Sequence, residues 1–166
     1  MILGMSISTF TTLHVVISLI GIFSGAIALF GMIGSGISGS WTALFLLTTI
    51  LTSATGFPIP PLAFDPPRVA GVISLIALAT ALLAFYGKSL TGAWRRIYVI
   101  CAVLALYLNV FVAVVQAFQK LPFLQPLAPT QSESPFLVAQ VLVLVMFVKL
   151  GIAAAKRFHP DVSAAA

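Results

Sequence analysis

RRIYVICAVLALYLNVFVAVVQAFQ, residues 95–119, is an unbroken 25-residue stretch in which Asn109, Gln116 and Gln119 are the only strongly polar side chains after the arginine pair. A helix needs roughly 20 mostly apolar residues to cross a ~30 Å hydrocarbon core. This run meets that length, and it is bracketed by Arg95 and Arg96 at one end and Lys120 at the other. Similar runs occupy 10–33, 41–57, 68–87 and 136–156, the second of them near the lower limit of length. The expectation is an all-α integral membrane bundle of five transmembrane helices, forming a single domain over 1–166.

Composition points the same way. The 166 residues are 61% hydrophobic and 7% charged, against about 25% charged in a soluble domain. The segments between runs are too short to bury a core of their own. The net charge of +5 is no nucleic-acid signature, because the basic residues stand beside the ends of the runs, where they act as topology determinants. Cys101 is the only cysteine and lies inside an apolar run, which excludes an intramolecular disulfide and a metal site built on paired cysteines. Residues 1–9 carry no charged side chain and the first run is about 24 residues long, so it reads as a retained helix rather than a cleaved leader.

Charge asymmetry gives a direction. With five spans, the N-terminus, 58–67 and 120–135 share one side, flanked by Arg68 and Lys120. The other side holds 34–40, 88–94 and the C-terminus, with Lys88, Arg95, Arg96, Lys156 and Arg157. The richer side belongs in the cytoplasm, so the N-terminus is expected outside and the C-terminus inside. Lys149 lies on the cytoplasmic half of the last span and snorkels inward. The segment GSGISGS at 34–40 reads as a flexible turn, and the five prolines of PIPPLAFDPP at 58–67 end one helix and start the next. Trp41, Trp94 and Tyr98 near the cytoplasmic ends suit the interface.

Polar side chains within the runs carry the functional information, since in hydrocarbon each needs a partner or a cavity. His14 and Ser18 are one turn apart in the first run, followed by Gly21 and Gly25. The second run holds Thr52 and Ser53 among several hydroxyls, the fourth Asn109 and Gln116 on one face, and the fifth Gln140. At about 1.5 Å per residue, His14 and Gln140 lie roughly 6 Å, Thr52 and Ser53 roughly 8–9 Å, and Asn109 roughly 15 Å below the outer surface. Seven residues, His14, Ser18, Thr52, Ser53, Asn109, Gln116 and Gln140, are therefore candidates for one polar pocket open to the periplasm, with His14 donating to a quinone carbonyl or headgroup oxygen. The plainer alternatives are close helix packing at the Gly21/Gly25 pair, hydroxyls satisfied by their own helix, and Asn109 and Gln116 as interhelical glue.

Several chemistries are disfavoured. Haem in a helical bundle usually takes two axial ligands, whereas His14 and the tail residue His159 fall on opposite sides of the membrane. No acidic residue lies within a run to orient His14 as a base, although Asp65 and Glu133 in the outer loops are within range of it. No metal or phosphate-binding spacing is present. The sequence thus predicts no cofactor, no metal and no catalytic set.

The stretches WTALFLLTTILTSATGF at 41–57, GAWRRIYVICAVLALYLNVFVAVVQAFQK at 92–120 and LAPTQSESPFLVAQ at 127–140, with His14 and the Ser24-Gly25 pair, resemble small proteobacterial inner-membrane proteins of hypothetical function. The resemblance covers nearly the whole chain and implies a multi-pass bacterial inner-membrane protein, with no activity, substrate or site attached. The most distinctive polar stretch is 129–133 in the outer loop, where binding specificity is expected, or simply a Ser/Thr-capped start to the last helix. Three functions follow as expectations. The first is a non-catalytic subunit that forms a homo-oligomer or joins a larger membrane complex. The second is a binder or transporter of a small molecule, lipid or quinone through the outer pocket. The third is a haem-binding protein or other membrane enzyme. The bilayer is a partner in each, and nucleic acid in none.

Overall fold

A computed structural model describes residues 2, 4–36, 38–60 and 66–159. All five apolar runs are helices: α1 (Ile7–Ile33), α2 (Gly39–Gly56), α3 (Pro66–Leu82, prolonged by a π-helical turn Leu83–Gly87), α4 (Trp94–Lys120) and α5 (Ser134–Arg157). A short 3₁₀ turn, Gln125–Leu127, lies in the loop before α5. Four of the helices, α1, α3 with its π turn, α4 and α5, are long and apolar enough to cross a membrane. The fifth, α2, has 18 residues, about 27 Å of helix, and its threonines and terminal glycines lower its hydropathy.

The larger of two apolar clusters among the described residues draws on all five helices. Leu29 and Met32 of α1, Phe45 and Leu46 of α2, Leu78 and Ala81 of α3, Val99, Ala102 and Leu106 of α4, and Phe147 and Ala154 of α5 pack together. The glycines of α1 set the closest approach. A methyl group placed on Gly25 would lie 2.6 Å from Leu106 Cδ1 and 2.7 Å from Phe45 Cδ2. On Gly21 it would lie 3.2 Å from Asn109 Nδ2 and from the hydroxyls of Thr48 and Thr49. Helices in lipid gain no hydrophobic drive towards one another, so close packing on small residues is a main source of attraction. The Gly21/Gly25 pair does this work for α1 against both α2 and α4.

The two ends of the bundle are built differently. At the end carrying Lys88, Arg95, Arg96, Lys156 and Arg157, Ser35 Oγ donates to the Arg157 carbonyl at 2.6 Å and Arg95 Nη1 donates to the Phe158 carbonyl at 2.7 Å. Both donate to carbonyls at the C-terminal end of α5, where helical partners run out, and the Arg157 carbonyl also has His159 Nδ1 at 3.1 Å. The Phe158 ring is fully buried and sits 6.0 Å from Tyr98, which in turn lies 5.4 Å from Phe85. The turn from α3 to α4 brings Ser89 and Leu90 to φ values of 46° and 55°. For a leucine that conformation is costly, and here it accompanies a side chain only 6% exposed and a Leu90 N–H donated back to the Ala84 carbonyl.

At the opposite end α4 and α5 are joined by Phe118 and Phe136, edge to face at 5.5 Å, and by Gln131 Nε2 donating to the Val115 carbonyl at 3.1 Å. The expected Ser/Thr cap of α5 is replaced by Glu133, which occupies the cap position with Pro135 in the first turn. Its carboxylate turns back and accepts from the Thr130 N–H, the Thr130 hydroxyl and the Ser132 N–H. An acidic charge at a helix N-terminus also complements the helix dipole. Of the expected outer segment 58–67, residues 61–65, including Asp65, lie outside the described residues.

Candidate functional site

A cleft of about 790 Å³ opens at the end of the bundle that holds the start of α1. It runs between α1, α2, α3 and α4 and reaches Thr130, Gln131 and Phe136 beside α5. Its length follows from α4, along which Asn109, Val112, Gln116 and Lys120 recur at helical spacing and all line it. From Lys120 to Asn109 is 11 residues of helix, about 16 Å. The α1 wall is the matching stripe Thr11, His14, Val15, Ser18 and Leu19.

Six of the seven polar residues expected to converge do so: His14, Ser18, Thr52, Ser53, Asn109 and Gln116 line this one cleft. Gln140 does not. It is 9% exposed and its Nε2 donates to the Phe111 carbonyl at 3.2 Å, so its amide nitrogen ties α5 to α4 and is not presented to the cleft. Its depth along the helix matches that of His14, but its amide nitrogen is taken up by the contact with α4. The cleft also gathers Thr130 and Gln131, from the 129–133 stretch where binding specificity was expected, with Lys120 at its mouth, and two residues that the sequence reading passed over, Ser74 on α3 and Gln119 on α4. Ser74 was legible in principle, since it is a small polar residue about six positions into an otherwise apolar run.

Two hydrogen-bonded pairs organise the polar wall. Ser18 Oγ donates to Asn109 Oδ1 at 2.8 Å, which joins α1 to α4 at mid-depth. Nearer the mouth, His14 Nδ1 lies 2.9 Å from Thr55 Oγ1. The Thr55 hydroxyl itself donates to the Leu51 carbonyl at 2.6 Å. A hydroxyl has one proton, so in this pair the imidazole donates and Thr55 accepts. The uncharged His14 ring therefore carries its proton on Nδ1, and Nε2 is left as an acceptor. In this tautomer Nε2 offers a ligand a lone pair, whereas the sequence reading makes His14 a donor.

The remaining hydroxyls fall into two groups. Thr48 and Thr55 donate to carbonyls of their own helix, Leu44 and Leu51, as threonines in helices commonly do. Thr49, Thr52 and Ser74 are different, because their buried hydroxyls have no partner among the described residues. Ser74 is only 4% exposed and stands on the cleft wall. A buried unpaired hydroxyl costs on the order of 1–3 kcal/mol, which a ligand oxygen or an ordered water in the cleft would offset.

Charge is arranged by depth. Lys120 stands at the mouth, as does Arg68, whose guanidinium donates to the carbonyls of Phe57 and Ile59 at 3.4 and 2.6 Å. Among the described residues the lining contains no carboxylate. Glu133, which was within range of His14 by sequence, is held in its own loop by Thr130 and Ser132. His159 follows α5 at the other end of the molecule, so it and His14 do not meet.

No family model matches this chain, and neither a curated protein nor a solved structure matches it.

Proposed function

We propose that this protein is a five-span bacterial inner-membrane protein, N-terminus in the periplasm and C-terminus in the cytoplasm, that binds a small amphiphile of the lipid or quinone class in the cleft. The observation that carries this reading is the collection of His14, Ser18, Thr52, Ser53, Asn109 and Gln116, from three helices, on one 790 Å³ cleft. A cleft of that size suits a drug-sized or lipid-sized molecule. Polar side chains are costly in a membrane and usually mark binding sites or pathways. The mixed wall, with Val15, Leu19, Phe111 and Val112 beside the polar groups, suits a molecule with both a polar and an apolar part.

The orientation rests on the five basic residues at the clasped end, Lys88, Arg95, Arg96, Lys156 and Arg157, against Arg68 and Lys120 at the cleft end. The crossing of α2 rests on its packing. Thr42, Thr48 and Thr49 are buried against neighbouring helices, so a helix too polar to face lipid alone is shielded inside the bundle.

Native mass spectrometry in mild detergent, with lipid extraction and an absorption spectrum, tests the reading. We expect a specific bound amphiphile whose occupancy falls in both His14→Ala and Asn109→Ala. Unchanged occupancy in both variants overturns the site. For orientation, Ser89→Cys and Thr130→Cys in a Cys101→Ser background report the two ends. Labelling of residue 130, but not 89, by an impermeant thiol reagent on intact spheroplasts is expected, and the reverse pattern overturns the topology.

A second reading is assembly, as a homo-oligomer or a subunit of a larger membrane complex. The packing of α5 favours it: 17% of its central window is buried, against 39% for α3. Cross-linking from Leu142→Cys, on the open face of α5, in membranes tests this. A dimer band supports a homo-oligomer, a heavier mixed band supports a partner chain, and a monomer alone argues against assembly through α5.

A further inference from the structure

Resting on the proposed amphiphile cleft, its polar wall and its rim together narrow the ligand. The first observation is the handedness of the His14–Thr55 hydrogen bond. Thr55 has committed its proton to Leu51 at 2.6 Å, so His14 holds its own proton on the Nδ1 side at 2.9 Å. Nε2 is thus an acceptor aimed at by no described residue, on a ring that lines the cleft. An acceptor in a low-dielectric site selects a ligand that brings a donor, because an unmatched lone pair on each side is costly.

The second observation is the orphaned hydroxyl of Ser74, on a side chain 96% buried (4% exposed) in the same wall. A hydroxyl both donates and accepts. The combination of an acceptor at His14 with a free hydroxyl at Ser74 is matched by an alcohol, which also does both. A bare carbonyl matches only the second.

The third observation is where the cleft edge lies. Val15 and Leu19 line it and are 43% and 58% exposed, and they adjoin Val16 and Phe23 of the same helix, which are 47% and 64% exposed and lie outside the cleft. Leu19 is 12 residues into α1, about 18 Å along the helix, well inside the hydrocarbon layer. The cleft therefore meets the apolar surface of the bundle along its side, and a chain-bearing ligand enters there without leaving the bilayer.

We infer that the ligand is a membrane lipid bearing a free hydroxyl, drawn in sideways past Val15 and Leu19, with that hydroxyl donated to His14 Nε2 and its apolar chain left toward the bilayer.

The test uses the full chain in nanodiscs and native mass spectrometry with three probes: dioleoylglycerol, its acetylated counterpart in which the hydroxyl is capped, and free glycerol. The expected result is binding of dioleoylglycerol at least about tenfold tighter than the acetate, the scale of one matched hydrogen bond, and no retention of glycerol. His14→Phe is expected to bring the two lipids to parity. Thr55→Val is a second variant that leaves the ring in place. It removes the group that fixes the proton on Nδ1, and the preference for the free hydroxyl is expected to shrink. Equal binding of both lipids to the unaltered protein overturns the hydroxyl assignment and leaves a lipid cleft standing. Retention of glycerol without dioleoylglycerol overturns the route from the bilayer. Absence of any retained lipid, from these probes or from a total lipid extract, overturns the cleft as a lipid site altogether.

Discussion

His14 and Thr55, 41 positions apart in the chain, meet at 2.9 Å across the α1–α2 contact, and the direction of their hydrogen bond is fixed by a third group, the Leu51 carbonyl. A polar side chain near the mouth of the cleft is thereby locked both in position and in protonation pattern. Replacing Thr55 with valine leaves Nδ1 without its acceptor, at a cost of about 1 kcal/mol, while Thr55→Ser keeps the pair. Thermal melting in detergent is expected to separate the two, with the valine variant melting lower.

Gly25 governs how closely α1, α2 and α4 approach. Because an added carbon would sit 2.6–2.8 Å from Leu106 and Phe45, Gly25→Leu forces the helices apart, at about 1–3 kcal/mol. Gly39, at the start of α2, has nothing within 4 Å of such a carbon, and Gly39→Ala is expected to stay within about 0.5 kcal/mol of the parent. The comparison is made by denaturation in mixed micelles. Equal losses at the two sites would show that the packing at Gly25 is not the cause.

Ser18 and Asn109 form the mid-depth link between α1 and α4. A double-mutant cycle of Ser18→Ala and Asn109→Leu is expected to give a coupling near 0.6 kcal/mol, typical of hydrogen bonds inside membrane bundles. A coupling indistinguishable from zero would mean that the pair contributes no net stability.

Glu133 makes the loop before α5 sensitive to pH. Partial desolvation raises its carboxyl affinity for protons, but the hydrogen bonds from the Thr130 side chain and the backbone of Glu133, Thr130 and Ser132 outweigh it and hold the group below the ordinary carboxylate range. A carboxylate whose proton affinity is lowered by folding contributes stability that is fully present above its unfolded-state pKa and is lost as the pH falls through its folded-state pKa. The loop at 130–133 is therefore expected to exchange amide protons slowly near neutrality and faster once acidification passes below the usual carboxylate range. Glu133→Gln is expected to show the fast behaviour already at neutral pH, read by hydrogen-exchange mass spectrometry. A loop equally protected in the glutamine variant would exclude the carboxylate as its organiser.

The helices were legible because length and hydropathy are local properties. The ends of the apolar runs at 10–33, 41–57, 68–87, 95–119 and 136–156 all lie within three residues of the observed helix ends. Depth was legible for the same reason, since it is only distance along a helix, and it brought His14, Thr52 and Asn109 towards one end. Rotation about the bundle axis was not. Gln140 has the expected depth but spends its amide nitrogen on the Phe111 carbonyl, and this contact of α5 with α4, like those of Phe118 with Phe136 and of Gln131 with Val115, is announced by neither partner in the sequence. The polarity of His14 was illegible for a stronger reason: it depends on a hydroxyl 41 residues away and on where that hydroxyl had already sent its proton.

The clasp at the basic end has a consequence for biogenesis. Ser35 reaches Arg157 across 122 positions of chain, and Arg95 reaches Phe158 across 63. Neither bond exists until the last helix is inserted. During synthesis the first four helices therefore wait as an unfinished assembly, with the Tyr98 ring lacking its Phe158 neighbour and one end unlatched. Insertion of α5 closes the circle back to α1, so this end of the fold is latched only when α5 is in place.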